Sequence, residues 1–236
     1  LRWPDDYFTL VYALNFTQYK LSNYPNLFPG LDNTTAHNLS LKLSLSRSSI
    51  DQPIFPRSGS SFLASVQATP PYSLFNPDRV KAGNPYELPE FHKWRFTGEW
   101  YVPIGKAMGA DKSRQFVLKA AAKYGFMGRY NKKLEYSPFE RFQVGDAGLQ
   151  NNFGILGYDI IAHRGYPVYD NSDPTVNPDK SQAAQFFTIF NKYTLELRYP
   201  FSTNPNSTIF GLAFFEAANG WYDYKDYNPF RLRRSA

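Results

Sequence analysis

Few side chains in this chain of 236 residues have the types and spacing that covalent chemistry requires. The sequence has no cysteine, which excludes thiol catalysis, Cys-ligated zinc and a disulfide framework. The histidines stand far apart, without an HExxH motif or a Ser/His/Asp arrangement: His37, His92 and His163. The glycine-containing stretches lack the lysine and the spacing of phosphate-binding loops. We therefore expect no catalytic residue, no metal and no cofactor.

One arginine and two glutamates form the constellation of interest. Arg164 lies in a long connection, Glu196 in an alternating segment, and Glu216 is the only charge in the apolar run 208–218. If these segments are membrane-spanning strands, both carboxylates face the interior, because a charge that faces lipid is costly. A guanidinium held inside a barrel needs such anionic partners. The alternative is that Arg164 is a solvated loop residue and that the glutamates pair with neighbouring strands.

The segments that would position these residues alternate between apolar and polar side chains. In the clearest one, residues 38–46, one side carries only leucines, namely Leu39, Leu41, Leu43 and Leu45. Similar dyads predict seven strands, near 7–19, 37–47, 59–69, 92–103, 115–128, 185–200 and 208–219. The connection 130–180 far exceeds the ~12–15 residues above which an unstructured loop is uncommon. Function is therefore to be sought in this connection.

Composition separates the possible kinds of β protein. Aromatic residues make up 18% of the chain, and many lie near the ends of the alternating runs, where membrane barrels place their aromatic girdles. Strands of about ten residues also match the ~25 Å apolar band of such barrels. The formal net charge of +6 comes from dispersed residues, which gives no sign of nucleic-acid binding. A transmembrane barrel is favoured, although alternation alone would also fit a soluble ligand-binding barrel with the leucines inside.

The number of strands suggests a partial barrel. Bacterial single-chain barrels have an even number of strands, and an open sheet in lipid would leave backbone groups unpaired at its edges. Seven strands therefore mean either that residues 1–236 are part of a larger barrel or that one strand has escaped the count.

Arg164 is followed by Gly165 and Tyr166, and this motif is preceded by the hairpin-like ERFQVGDAG and followed by TLELRYP and FGLAFFEAANGW. These stretches resemble the signature region of the BamA family of outer-membrane protein assembly factors. The segment SLSRSSIDQPIFPRSGSSF, residues 44–62, resembles a strand–turn–strand unit in the middle of that family's barrel. The Arg-Gly-aromatic loop is shared with a wider superfamily that includes two-partner secretion transporters.

The resemblance implies an all-β fold, a transmembrane antiparallel barrel of about sixteen strands that is preceded by POTRA domains. This chain would hold about seven of the barrel's strands. The long connection would fold back into the lumen with Arg164 at its tip, facing Glu196 and Glu216. Gly165 would let the backbone turn there, and Tyr166 would pack against the inner wall. The leucines at 39, 41, 43 and 45 would face lipid.

The function implied by the resemblance is a non-enzymatic insertase in the outer membrane of a Gram-negative bacterium. It would promote folding and insertion of other barrel proteins as part of a BAM complex. Its expected partners are the lipid bilayer and lipopolysaccharide, unfolded outer-membrane proteins and accessory lipoproteins, with no nucleic acid. The alternative function is a transport pore, either a two-partner secretion transporter or a porin.

Overall fold

The computed structural model describes residues 6–22, 33–78, 86–109, 114–145, 157–166, 186–204 and 207–235. Eight strands form one antiparallel sheet, in the order in which they occur along the chain. They are β1 (Phe8–Leu21), β2 (Thr34–Ser48), β3 (Gly59–Ala68), β4 (His92–Met108), β5 (Arg114–Gly128), β8 (Ile189–Asn204), β9 (Ser207–Trp221) and β10 (Arg233–Ser235). One short helix, α1 (Tyr72–Phe75), lies between β3 and β4. Among the described residues, no helix is long and apolar enough to cross a membrane.

The two faces of the sheet differ because side chains alternate along each strand. The register of β1 and β2 pairs Leu14 with Leu41 and Phe16 with Leu39, which gathers large apolar groups on one face. On that face Leu41 is 57% exposed, whereas Ser40 on the opposite face is 1% exposed. We call the leucine side the outer face and the opposite side, against which the long connection packs, the inner face.

The long connection between β5 and β8 contains regular structure of its own. Strands β6 (Phe142–Val144) and β7 (Asp159–Ile161) pair in parallel, and we call this pair the loop ladder. The described part of the ERFQVGDAG segment, residues 140–145, takes part in no hairpin. Its strand β6 pairs in parallel with β7, and Phe142 makes an antiparallel bridge to Phe187. Strand β6 of the ladder is buried in an apolar cluster on the inner face, against which the partly buried Ile161 of β7 packs: Phe91, Met127, Phe142, Val144, Phe187, Phe190 and Ala218.

The strand boundaries depart from the sequence expectation most at two places. The fourth strand ends at Met108 and not near residue 103. The sixth long strand begins at Ile189 and not near residue 185. Burial does not alternate at this start, because residues 186–192 are all buried, with Phe186 and Phe187 each in an apolar cluster. The structure also adds β10 to the seven long strands. In the part of the chain that the structure describes, the sheet does not close into a ring, so the barrel is incomplete.

The turn between β2 and β3 covers the opposite end of the inner face. Phe55 from this turn is 3% exposed. It packs in a cluster with residues of three strands and its own turn: Tyr101, Val117, Phe210 and Ile50. At the end of the turn Gly59 has φ +102°, and a Cβ there would lie 2.1 Å from the carbonyl oxygen of Ser49. Only glycine fits this position without moving the backbone.

Candidate functional site

Arg164 lies in a turn directly after the loop ladder. Gly165 has φ +77°, a left-handed conformation that favours glycine and lets the chain reverse there. The Arg164 backbone N–H donates to Glu216 Oε2 over 3.2 Å, and its Nη2 donates to Glu196 Oε1 over 3.0 Å. Its Nε lies 3.9 Å from Glu216 Oε1, and the guanidinium carbon lies 4.2 Å from the ring centre of Phe214. The structure thus brings together the three residues that the sequence singled out.

The two glutamates are almost fully buried, with 3% side-chain exposure each. Glu196 also accepts from Arg198, through Nε at 2.9 Å and Nη2 at 2.5 Å. Glu216 pairs with Lys192, whose Nζ lies 2.9 Å from Oε1. Each buried carboxylate therefore has a cation from its own sheet in addition to Arg164. This matters because a buried charge is tolerated only where it is paired and hydrogen-bonded.

The register of β8 and β9 explains why the two carboxylates share one site. Thr194 pairs with Glu216, and Glu196 pairs with Phe214, so the glutamates occupy diagonal positions on the inner face. Lys192 lies on the same face and donates to the carbonyl oxygen of Ala162 over 2.5 Å. The strands thus supply two anions and a lysine that binds the loop backbone, which fixes the segment that enters the turn.

The two residues beside Arg164 and Gly165 stack on one another. The rings of His163 and Tyr166 have centroids 4.7 Å apart and an interplanar angle of 20°. His163 is fully buried, whereas Tyr166 is partly exposed. The sequence interpretation treated His163 as an ordinary loop residue, and its burial beneath Tyr166 could not be inferred without the turn.

A second charged cluster lies on the inner face, and the sequence interpretation did not identify it. We call it the Lys93 cluster; it comprises Lys93, Arg95, Glu140 and Asp159. The available sequence signal is that Lys93 and Arg95 occupy same-face positions on β4 in a strand whose other face is aromatic. Nothing in the sequence indicates that their partners lie in the long connection.

The comparison with known protein families concerns nearly the whole chain. The Omp85 superfamily domain matches residues 4–236. This chain belongs to the Omp85 superfamily.

Among solved structures, this Omp85 chain is similar to BamA from Haemophilus ducreyi lacking POTRA domains 1-3, with a TM-score of 0.57 and 14% sequence identity. The similarity covers 93% of this chain and 40% of that structure, so the chain spans less than half of its length. A search of curated proteins found no match. The shared fold is that of a BamA-type barrel portion. Membership of the Omp85 superfamily, together with this fold, implies an outer-membrane protein of Gram-negative bacteria or of organelles.

The outer face of the Omp85 chain carries the four leucines that the sequence assigned to lipid. Leu39, Leu41 and Leu43 are 37%, 57% and 42% exposed, and Leu45 is partly exposed. Among the residues that the structure describes, no group of three or more His, Cys, Asp or Glu side chains could hold a metal ion. The site formed by Arg164, Glu196 and Glu216 can hold a loop by charge-assisted hydrogen bonds. Each of its two carboxylates has two cationic partners.

Proposed function

We propose that this chain is the barrel wall and lumenal loop of a BamA-type insertase, which promotes folding and insertion of other outer-membrane proteins without covalent chemistry. The observation that carries the proposal is the contact of Arg164 with Glu196 and Glu216, which holds the Arg-Gly-aromatic turn against the inner face. Membership of the Omp85 superfamily and the BamA-like fold support it.

The physical basis of such a function is a wall that is apolar outside and polar inside. The leucines of β2 would contact lipid and lipopolysaccharide, while backbone groups are satisfied between strands. An insertase would accept an unfolded substrate strand at an open sheet edge by β-augmentation. The anchored loop would keep the wall in one shape while that edge opens. Accessory lipoproteins would bind the assembled protein as separate subunits.

The second candidate is a transport pore of the two-partner secretion type. The Arg-Gly-aromatic turn and membership of the Omp85 superfamily are compatible with such a pore as well as with an insertase. Both would also place polar residues on the inner face, so the wall itself does not separate them.

Depletion of the full-length protein in its own cell separates the two. Loss of an insertase lowers the levels of many unrelated outer-membrane proteins, whereas loss of a transporter removes the export of one protein. Complementation with Arg164→Ala should restore less assembly than complementation with Arg231→Ala, a matched control at an exposed arginine. Loss of a single exported protein, with all other barrels at normal levels, would overturn the insertase in favour of the pore.

A further inference from the structure

The Lys93 cluster joins the long connection to β4 through the buried charge of Lys93 and its partly exposed partners. Lys93 is 1% exposed, and its Nζ lies 2.7 Å from Asp159 Oδ2 and 3.6 Å from Glu140 Oε2. Arg95 Nη1 donates to the same Asp159 oxygen over 2.8 Å. Two cations of the wall therefore face two carboxylates of the loop, and the cluster is electrically balanced. Such balance is what makes the burial of Lys93 possible.

The same cluster reaches two further strands through Glu140. Its Oε1 accepts from the Tyr19 hydroxyl over 2.9 Å and from Asn38 Nδ2 over 3.2 Å. Glu140 has φ +63°, a conformation that is unfavourable for a residue with a Cβ and that persists only where its surroundings hold it. Because Tyr19 is on β1, Asn38 on β2 and Lys93 on β4, one loop carboxylate contacts three strands of the wall.

The loop ladder explains how Glu140 and Asp159 come to lie side by side. In a parallel pair both strands start at the same end, and the register pairs Phe142 with Asp159. Close approach is needed there: a Cβ on Gly157, which has φ +72°, would lie 2.3 Å from the Tyr19 hydroxyl and 2.9 Å from Glu140 Oε1. The backbone before β7 is thus fitted tightly against the cluster.

We propose that the Lys93 cluster is a second anchor of the long connection, independent of Arg164, and that Lys93 is its main positioning residue. The loop ladder is then held across the inner face at two points. Its start is fixed to β1, β2 and β4, and the turn after its end is fixed to β8 and β9. Between the anchors it packs on aromatic rings, with Phe142 and Phe190 centroids 4.8 Å apart and Lys93 Nζ 4.8 Å from the Phe142 ring centre. This inference holds for an insertase or a pore alike.

Independence has a structural consequence that can be measured. If there are two anchors, loss of Arg164 frees the turn but leaves β6 in place, whereas loss of Lys93 frees β6. The reporter is a single cysteine at Val144, which is 3% exposed and lies in β6. The chain contains no other cysteine, so only cysteines elsewhere in the full-length protein need replacing. The readout is the rate of labelling by a water-soluble maleimide in outer-membrane vesicles.

The variants are Lys93→Met, Asp159→Asn and Arg164→Ala, with Lys106→Met as the control at an exposed lysine of the same strand. We expect Lys93→Met to raise the labelling rate at Val144→Cys by about tenfold or more, since local opening exposes the thiol. Asp159→Asn should raise it less, and combining it with Lys93→Met should add little. Arg164→Ala and Lys106→Met should change it less than about twofold.

Two further measurements keep the test decisive. Tyr19→Phe removes only a hydroxyl, so we expect this variant to fold. It should still raise the labelling rate at Val144→Cys by about threefold, because Glu140 loses one hydrogen-bond donor. A second reporter, Ser44→Cys on β2, tests the wall itself. Unchanged labelling at Val144→Cys in Lys93→Met and Tyr19→Phe, or equal increases at Ser44→Cys, would overturn the proposal.

Discussion

Glu216→Ala should loosen the long connection more than Arg164→Ala does, although the two residues touch each other. The reason lies in what each substitution leaves behind. Without the Arg164 side chain, Glu196 keeps both bonds from Arg198, and the backbone N–H at position 164 still donates to Glu216. Without the Glu216 carboxylate, that N–H loses its acceptor, and the buried Lys192 loses its anionic partner and keeps only the carbonyl oxygen of Ala162.

The magnitudes follow from burial. The Arg164 side chain is 45% exposed, so its contact with a carboxylate that stays paired is worth about 1–2 kcal/mol. Lys192 is 9% exposed, and removing the partner of a buried charge costs ~3–5 kcal/mol. The expected difference in the free energy of unfolding between the two variants is therefore about 2 kcal/mol. Glu216→Gln should fall between them, because its amide oxygen can still accept a hydrogen bond.

Urea unfolding of the full-length protein in lipid vesicles measures this difference, with Arg231→Ala as the matched control. The double variant Arg164→Ala with Glu216→Ala should lose less free energy of unfolding than the sum of the two single variants, since both substitutions remove the same contact. Equal losses for Arg164→Ala and Glu216→Ala would show that the retained Arg198 and backbone contacts do not compensate for the lost guanidinium, and strictly additive losses would show that the two residues do not share one contact.

Five more substitutions test the wall and the turn between β2 and β3. Leu43→Arg should destabilise the protein by ~2–4 kcal/mol in lipid. Lys42→Cys should react with a water-soluble reagent and Leu43→Cys should not. The reverse labelling would indicate a soluble barrel. Phe55→Ala should cost ~3–5 kcal/mol in urea unfolding, because its ring fills the cluster with Tyr101 and Val117, and a loss below ~1 kcal/mol would show that the turn is dispensable. Gly59→Ala should cost ~1–3 kcal/mol because of its positive φ, while no loss would contradict the turn geometry.

The strands were accessible from the sequence because each is exposed to two different environments. Leu41 faces outward and its neighbour Ser40 faces inward, and this contrast is written into the sequence with a period of two. The same logic selected Glu216, since a lone charge in an apolar run has only one tolerable face. The exception at Phe186 and Phe187 has the same cause, because residues that are both buried do not alternate.

The Lys93 cluster could not be predicted from the sequence in this way. Lys93 and Asp159 are 66 positions apart, and Tyr19 and Glu140 are 121 apart, so no local pattern links them. Strands β6 and β7 have three residues each, too few for periodicity to be visible. Their parallel pairing depends on burial against Phe187 and Phe190, which only the folded sheet provides.

The folding rate of another barrel protein shows whether the full-length protein is an insertase. A urea-denatured outer-membrane protein is diluted into liposomes with or without the full-length protein, and its folding is followed by its shift in electrophoretic mobility. We expect faster folding with the protein and with Arg231→Ala, and a smaller acceleration with Arg164→Ala. No acceleration by the unaltered protein, together with export of a single secreted substrate across the same liposomes, would contradict the insertase function.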